Sequence, residues 1–250
     1  MAFYRRSSGA GYWLDVNQLR FIQPLQSSPI DMKWSTADNY SIDRKVIMAG
    51  TGLFLMLFLI VHLGLNLTIF SGDGGKLFDR TAEMLHQNWG LRSLELLVWG
   101  GFVLHIWQGI SIARANGAKR STSYAVSPSF SLDPARMMPM LGAIVLAFLL
   151  LHLYQFWLPQ AIGSTSPTSE LSQLVRSTLS QWWVVVIYVS GCLAVAAHLW
   201  HGWRSAAITL GVTGLYFQPL SVVGISLAIG LPLGLAAIPI ALFTSTHARF

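Results

Sequence analysis

The chain has 250 residues, 53% of them hydrophobic and only 10% charged, with a mean hydropathy of +0.53. A soluble domain carries about 25% charged residues, so this composition excludes an ordinary soluble core and reads as an all-α integral membrane protein. The net charge of +6 falls in clusters between apolar segments, not in a basic stripe interleaved with aromatics, which argues against nucleic-acid binding. The single cysteine, Cys192, excludes an intrachain disulfide framework and an iron–sulfur cluster ligated by this chain alone.

Residues 1–45 mix Pro24 and Pro29 with aromatics and six basic residues, and read as a soluble-side extension, partly irregular, able to lie against a partner. An amphipathic surface helix over Trp13–Phe21 is the one element expected there. Arg5-Arg6 is not an export signal, because no apolar run follows it within residues 7–45.

The first apolar segment, Val46–Phe70, contains no Asp, Glu, Lys or Arg. Since ~20 such residues cross the hydrocarbon core, it spans a membrane. Ser71-Gly72-Asp73-Gly74-Gly75 ends it as a flexible turn, and residues 76–92 form a loop with some helical character. A second span covers Ser93–Ala113, with Glu95 at its start and Arg114 behind it. Residues 114–136 are basic at both ends and rich in Ser and Pro between. The third span, Met137–Leu158, is expected to stop at Pro159, and a polar stretch fills 160–180. The fourth, Gln181–Trp203, has room to run on to Leu210. The fifth, Leu220–Phe243, contains Pro232 and Pro239 and is expected to kink. Residues 244–250 form an outer tail. No segment reads as a strand.

Five spans put the termini on opposite faces. With the N-terminus inside, 11 Lys and Arg lie on the inner side (residues 1–45, the 114–136 loop and Arg204) and five on the outer (Lys76, Arg80, Arg92, Arg176, Arg249). That excess favours N-in, C-out.

Two histidine patterns repeat. His105-Ile106-Trp107-Gln108-Gly109 recurs as His198-Leu199-Trp200-His201-Gly202, each with an alanine eight residues after its first histidine (Ala113, Ala206). Upstream, Leu59-Ile60-Val61-His62-Leu63 matches Leu149-Leu150-Leu151-His152-Leu153. The four alternate along the chain, as a duplicated two-helix unit would place them. One intramembrane histidine can be a satisfied interhelical hydrogen bond. Four, on consecutive helices and in register, mark function.

Their heights sort them. At about 1.5 Å of rise per residue, His62, 17 residues after Lys45, and His152, 16 after Arg136, lie ~24–25 Å from the inner charged layer. His105, nine residues before Arg114, and His198, six before Arg204, lie only ~9–14 Å from it. In an up-down bundle the first and third spans are diagonal, as are the second and fourth. Neutral imidazoles on opposed helices are natural axial ligands of haem iron. The expectation is two bis-histidine haems b, an outer one on His62 and His152 and an inner one on His105 and His198. Gly101 and Gly191 would let a porphyrin approach the backbone or let helices pack closely. His201 aligns with Gln108, which is no equivalent ligand, so it reads as a hydrogen-bonding neighbour of the inner site. His86 and His247 read as surface histidines. Apart from Glu95, no carboxylate lies in the spans.

The order His62, His105, His152, His198 on the first four of five spans, with His62-Leu63-Gly64, His105-x-x-x-Gly109 and His198-Leu199-Trp200-His201-Gly202 before Ser205, resembles the cytochrome b membrane anchor of succinate:quinone oxidoreductase (complex II; succinate dehydrogenase or fumarate reductase) of the single-subunit dihaem type. The resemblance covers about residues 42–243. It implies a bacterial cell membrane, surrounding lipid, flavoprotein and iron–sulfur subunits docked on the cytoplasmic face, and dicarboxylate chemistry in those subunits. It also implies a quinone, often menaquinone, reacting within the anchor, and it leaves room for a higher oligomer. Candidates near the outer quinone position are Glu83, His86, Arg92 and Glu95, which fit a solvated headgroup loop equally well. Arg44, Lys45 and Arg204 fit either inner propionates or interfacial anchoring. The dihaem anchor of a formate dehydrogenase, hydrogenase or nitrate reductase is the nearest alternative, and a haem-free transporter with a histidine-lined path is a more distant one.

Overall fold

A computed structural model describes residues 2–5, 11–14, 36–118, 134–162, 171–212 and 217–248. Two compact units divide the chain at residue 39. In the first, Ala2–Arg5 (β1) pairs antiparallel with Gly11–Leu14 (β2), with Phe3 opposite Trp13 and Tyr4 opposite Tyr12. This corrects the expectation of no strands and of a helix beginning at Trp13. Aromatic residues favour extended backbone, and four-residue strands are too short to register as an apolar segment. The rest of the expected 13–21 helix lies outside the described residues.

The second unit is an all-α membrane protein. Its helices are α1 (Thr36–Leu67, whose first four residues belong to the first unit), α2 (Lys76–Gln87), α3 (Trp89–Ala118), α4 (Pro134–His152), α5 (Leu158–Ala161), α6 (Leu171–Leu179), α7 (Trp182–Thr209) and α8 (Phe217–His247). Five segments are long and apolar enough to cross a membrane: Asp43–Phe70, Trp89–Gly117, Met137–Ala161, Trp182–Thr209 and Gln218–His247. Boundaries differ from expectation at several points: α3 runs past both ends of the Ser93–Ala113 span, and α8 starts at Phe217 rather than Leu220. The first helix begins ten residues before Val46, inside the supposed extension. The third span continues through Pro159, because a π turn at Leu153–Trp157 carries α4 into α5. Proline ends a helix by clashing with the carbonyl of the preceding turn, and the wider π winding moves that carbonyl. The last helix runs to His247, not Phe243: the hydroxyls of Thr244, Ser245 and Thr246 donate back to carbonyls of their own helix, and His247 stacks on Phe243 at 4.3 Å. Pro232 and Pro239 lie inside α8 without ending it, and Pro232 is fully buried.

Side-chain contacts fix an up-down order. Gly52 of α1 meets His105 of α3 while Phe54 meets Gly101, so numbers rise on one helix as they fall on the other. The same antiparallel course joins α4 to α7, through Gly142 with His198, Phe148 with Gly191, and His152 with Tyr188. Trp203 of α7 packs onto Gly224 of α8, and Leu63 of α1 onto Gly234.

The core gathers at the end of the bundle that carries α2 and α6. Ile69, Phe78, Val175, Leu179, Val184, Tyr188, Ile238 and Leu242 form one buried cluster. It draws on α2 and α6, two short amphipathic helices, the first within the 76–92 loop expected to have some helical character and the second within the expected polar stretch. The turn before α2 is built rather than slack. Gly72, Gly74 and Gly75 take φ of 82°, 80° and 101°, in the left-handed region that suits glycine. Asp73 accepts from Ser71 Oγ and from the backbone N–H of Gly75 and Leu77. Asp79 then ties α2 to α6, accepting from Ser172 N at 2.8 Å and Ser172 Oγ at 2.7 Å, and Arg176 donates to the carbonyl of Ile69.

Trp89 and Trp107 of α3 are 82% and 65% exposed, and Trp182 and Trp200 of α7 are 68% and 41% exposed. Each pair is 18 residues apart. That separation is ~27 Å along a helix, close to the hydrocarbon thickness. Tryptophan favours both membrane interfaces, so these four residues mark the inner and outer levels on two helices. Among the spans, none of the apolar window of α3 is buried within the chain, whereas α7 and α8 bury much of theirs against each other.

Candidate functional site

The structure brings the four span histidines together two by two. His62 of α1 faces His152 of α4 with ring centroids 5.7 Å apart and planes at 80°. His105 of α3 faces His198 of α7 with centroids 6.2 Å apart and planes at 73°. An imidazole nitrogen binds a first-row metal at about 2.0 Å, so two rings on opposite sides of one ion have centroids roughly 6 Å apart. Both pairs have that spacing. No group of three or more His, Cys, Asp or Glu that could hold a metal occurs among the described residues. Two imidazoles alone under-coordinate an ion such as iron. They match the axial positions of a porphyrin, whose ring supplies the other four nitrogens.

The outer pair is caged by rings. Phe58, one turn before His62, lies 5.4 Å from it and meets Phe102 edge-on. Phe148, one turn before His152, lies 6.3 Å from it, with Phe156 at 5.4 Å and Tyr188 at 6.0 Å. Tyr188 donates its hydroxyl hydrogen to Gln155 Oε1 at 2.7 Å. Phe58 and Phe148 occupy the same place in the repeat, so the duplication reaches the surroundings of the histidines.

The inner pair is held differently. A Cβ on Gly52 would lie 3.3 Å from His105 Cε1, and one on Gly142 would lie 3.7 Å from His198 Cε1. These glycines precede His62 and His152 by ten residues each, so each helix bearing an outer histidine offers bare backbone to an inner one. The glycines singled out in the sequence do something else: Gly101 receives the ring of Phe54 and Gly191 that of Phe148. Of the two readings open for them, close packing is the one they follow. His105 Nδ1 lies 3.1 Å from Thr51 Oγ1, while His198 Nδ1 is buried without a hydrogen-bond partner. Gln108 Oε1 and Trp203 Nε1 are likewise buried and unpartnered.

The outer candidates are spread out. Glu83 accepts from Gln87 on its own helix, and His86 is exposed in the last turn of α2. The Arg92 guanidinium lies 5.7 Å over the Trp89 ring. Glu95 accepts from Trp157 Nε1 at 3.1 Å, and Trp157 stacks edge-on against Trp99 at 5.0 Å. Only Glu95 touches the element that follows a span histidine, through the π turn after His152. His247 is an exposed helix-end residue. Lys45 and Arg204 are exposed, one near the N-terminal end of α1 and the other near the C-terminal end of α7.

Sequence reasoning missed Thr51, Gly52 and Gly142. The signal for the glycines is their common ten-residue spacing from the outer histidines. Compared with family models, curated proteins and solved structures, the chain matches none. Fold and geometry therefore define it as a multi-pass α-helical membrane protein with two histidine pairs inside its bundle.

Proposed function

We propose that this protein is a dihaem cytochrome b that carries electrons between the two faces of a membrane, and that it serves as the anchor of a succinate:quinone oxidoreductase. The observation that carries the first part is the pair of imidazole couples, each spaced for one six-coordinate ion. The second part rests on the resemblance of His62, His105, His152, His198 and their flanking strings to that family. In this reading the membrane is a bacterial cell membrane, with the N-terminus cytoplasmic, as the excess of basic residues on that side favours. Flavoprotein and iron–sulfur subunits dock on the cytoplasmic face, and the electron partner in the lipid is a quinone such as menaquinone.

His62 with His152, and His105 with His198, would hold the two haems b, whose iron exchanges single electrons between ferric and ferrous forms. The chain contributes position and environment. Each histidine presents a neutral nitrogen, because ligation requires the unprotonated ring. Phe58, Phe148, Phe156 and Tyr188 keep water from the outer pair, and a low-polarity surround is one of the levers that set potential.

The test is haem quantitation and visible spectroscopy on the purified protein and on single alanine replacements of the four histidines. Two low-spin haems per chain are expected. His62→Ala and His152→Ala should perturb one population, His105→Ala and His198→Ala the other, and His201→Gln should leave both low-spin. A single porphyrin or none, or a common effect of His62→Ala and His105→Ala, overturns the reading. Co-purification with a flavoprotein and an iron–sulfur protein supports the complex II assignment, and a molybdenum or nickel enzyme in their place overturns it.

A further inference from the structure

The two halves of the repeat differ at the residue just before the glycine that meets the second histidine pair. Thr51 Oγ1 lies 3.1 Å from His105 Nδ1, and it also lies 2.9 Å from the carbonyl of Ile47 and 3.1 Å from that of Met48 in its own helix. Its neighbour Gly52 lies against Cε1 of the same ring, so Thr51-Gly52 grips one edge of His105 and leaves Nε2 free on the other. At the matching place in the second half, 90 residues on, stands Leu141-Gly142. There Gly142 lies against His198 Cε1, Leu141 is buried, and His198 Nδ1 has no partner.

The proton arrangement follows from counting hydrogens. A histidine that gives Nε2 to a metal carries its hydrogen on Nδ1, and that N–H needs an acceptor. Thr51 has one hydroxyl hydrogen, and the carbonyls of Ile47 and Met48 stand ready to take it. The lone pair left on Oγ1 then accepts from His105 Nδ1. An imidazole that donates in this way becomes more basic and holds its metal more firmly in the higher charge state.

We propose that Thr51 is a positioning residue of the inner pair: its hydroxyl oxygen accepts the Nδ1 hydrogen of His105, fixes that ring with Nε2 toward His198, and keeps the inner haem at a lower potential than two unpartnered histidines would. This rests on the dihaem reading above. It makes the axial ligands of the inner haem unequal, one tuned by a hydroxyl and one bare.

The experiment is a redox titration of Thr51→Val and Thr51→Ser in the haem-loaded membrane complex, followed by visible and electron paramagnetic resonance spectra. Valine keeps the shape and removes the hydroxyl. In Thr51→Val the ferric-to-ferrous ratio of the inner haem at fixed poise should fall about threefold or more, about 28 mV upward at about 59 mV per tenfold for one electron. The outer haem should stay in place, and Thr51→Ser should titrate as the parent does. Loss of the inner low-spin signal in the valine variant with its retention in the serine variant also supports the proposal. An unchanged or lowered inner potential in Thr51→Val, or serine behaving as valine, overturns it. Absence of haem from the parent protein instead overturns the dihaem reading, so the two failures are distinct.

Discussion

Phe148 of α4 lays its ring on the backbone of Gly191 in α7, where any Cβ would overlap it. The same ring lies 5.3 Å from Tyr188 and 6.3 Å from His152, so the glycine sets the distance between α4 and α7 at the height of the outer histidine pair. Gly191→Ala should therefore overpack this contact, at about 1–3 kcal/mol. Thermal unfolding in detergent reads the loss. A second change, Phe148→Leu, should recover part of it, because the two residues share one contact and their effects will not add. Equal, additive losses in a double-mutant cycle would show that the contact does not set the spacing.

The outer cover gives an independent test. Ser172 is buried, 2% exposed, and both its N–H and its hydroxyl donate to the carboxylate of Asp79. Asp79→Ala leaves two donors without an acceptor at a site closed to water, where each unmade bond costs about 1–3 kcal/mol. The expected result is a lower unfolding temperature and faster hydrogen exchange at Ser172, with α3 unaffected. Exchange at Ser172 as slow as in the parent would mean that another group holds α6 in place.

The heights of the histidines are legible in the chain because helical rise is fixed and basic residues mark one membrane face. Distance from Lys45, Arg114, Arg136 and Arg204 thus sorts them, and the rings that share a height are the rings that meet. Glycine roles are not legible in this way. Gly52, Gly101, Gly142 and Gly191 all precede a histidine by ten residues or fewer, and which of them faces a ring depends on helix rotation. Where Phe54 and Phe148 pack decides that rotation, and periodicity does not show it. The cover is half legible: residues 76–92 read with some helical character, as α2 has, whereas α6 is short and polar in composition and reads only as part of a polar stretch. Thr51 is hidden, since a threonine inside an apolar span reads as a minor polar interruption until the ring beside it is known.

Gly52 and Gly142 stand in equivalent places but differ in clearance. A methyl group on Gly142 would make an ordinary contact at 3.7 Å, whereas one on Gly52 at 3.3 Å would force His105 to shift by a few tenths of an ångström. Alanine in place of glycine inside a helix gains up to about 1 kcal/mol from propensity. Gly142→Ala should therefore be neutral or mildly stabilising and, in the proposed dihaem form, should leave the spectrum of the haem between His105 and His198 unaltered. Gly52→Ala should perturb that spectrum and lose the stability gain. Melting curves and reduced-minus-oxidised spectra of the two variants check this, and indistinguishable behaviour would count against the glycine cradle.

Asp73 supplies a pH dependence outside the membrane. Its carboxylate accepts from Ser71 Oγ at 2.7 Å, from Gly75 N at 3.0 Å and from Leu77 N at 2.7 Å, so it caps the start of α2. The Ser71 hydroxyl first, and the backbone N–H groups of Gly75, Leu77 and Lys76 after it, hold the carboxyl below its ordinary range. The folded turn thus binds a proton less readily than the unfolded chain, and stability rises with pH wherever the unfolded chain holds more protons. The contribution is complete above the ordinary carboxylate value, near about 3.9, and is lost as pH falls through the depressed folded-state value. Asp73 is fully exposed, so solvent screening keeps the effect local to the turn. Asp73→Asn should loosen the first turn of α2 at about pH 6, and the difference should shrink as the solution is acidified well below the ordinary carboxylate value of about 3.9. Hydrogen exchange at Leu77, compared between variant and parent at each pH, measures it. An equal difference at every pH would mean that side-chain shape, and not the charge on Asp73, holds the turn.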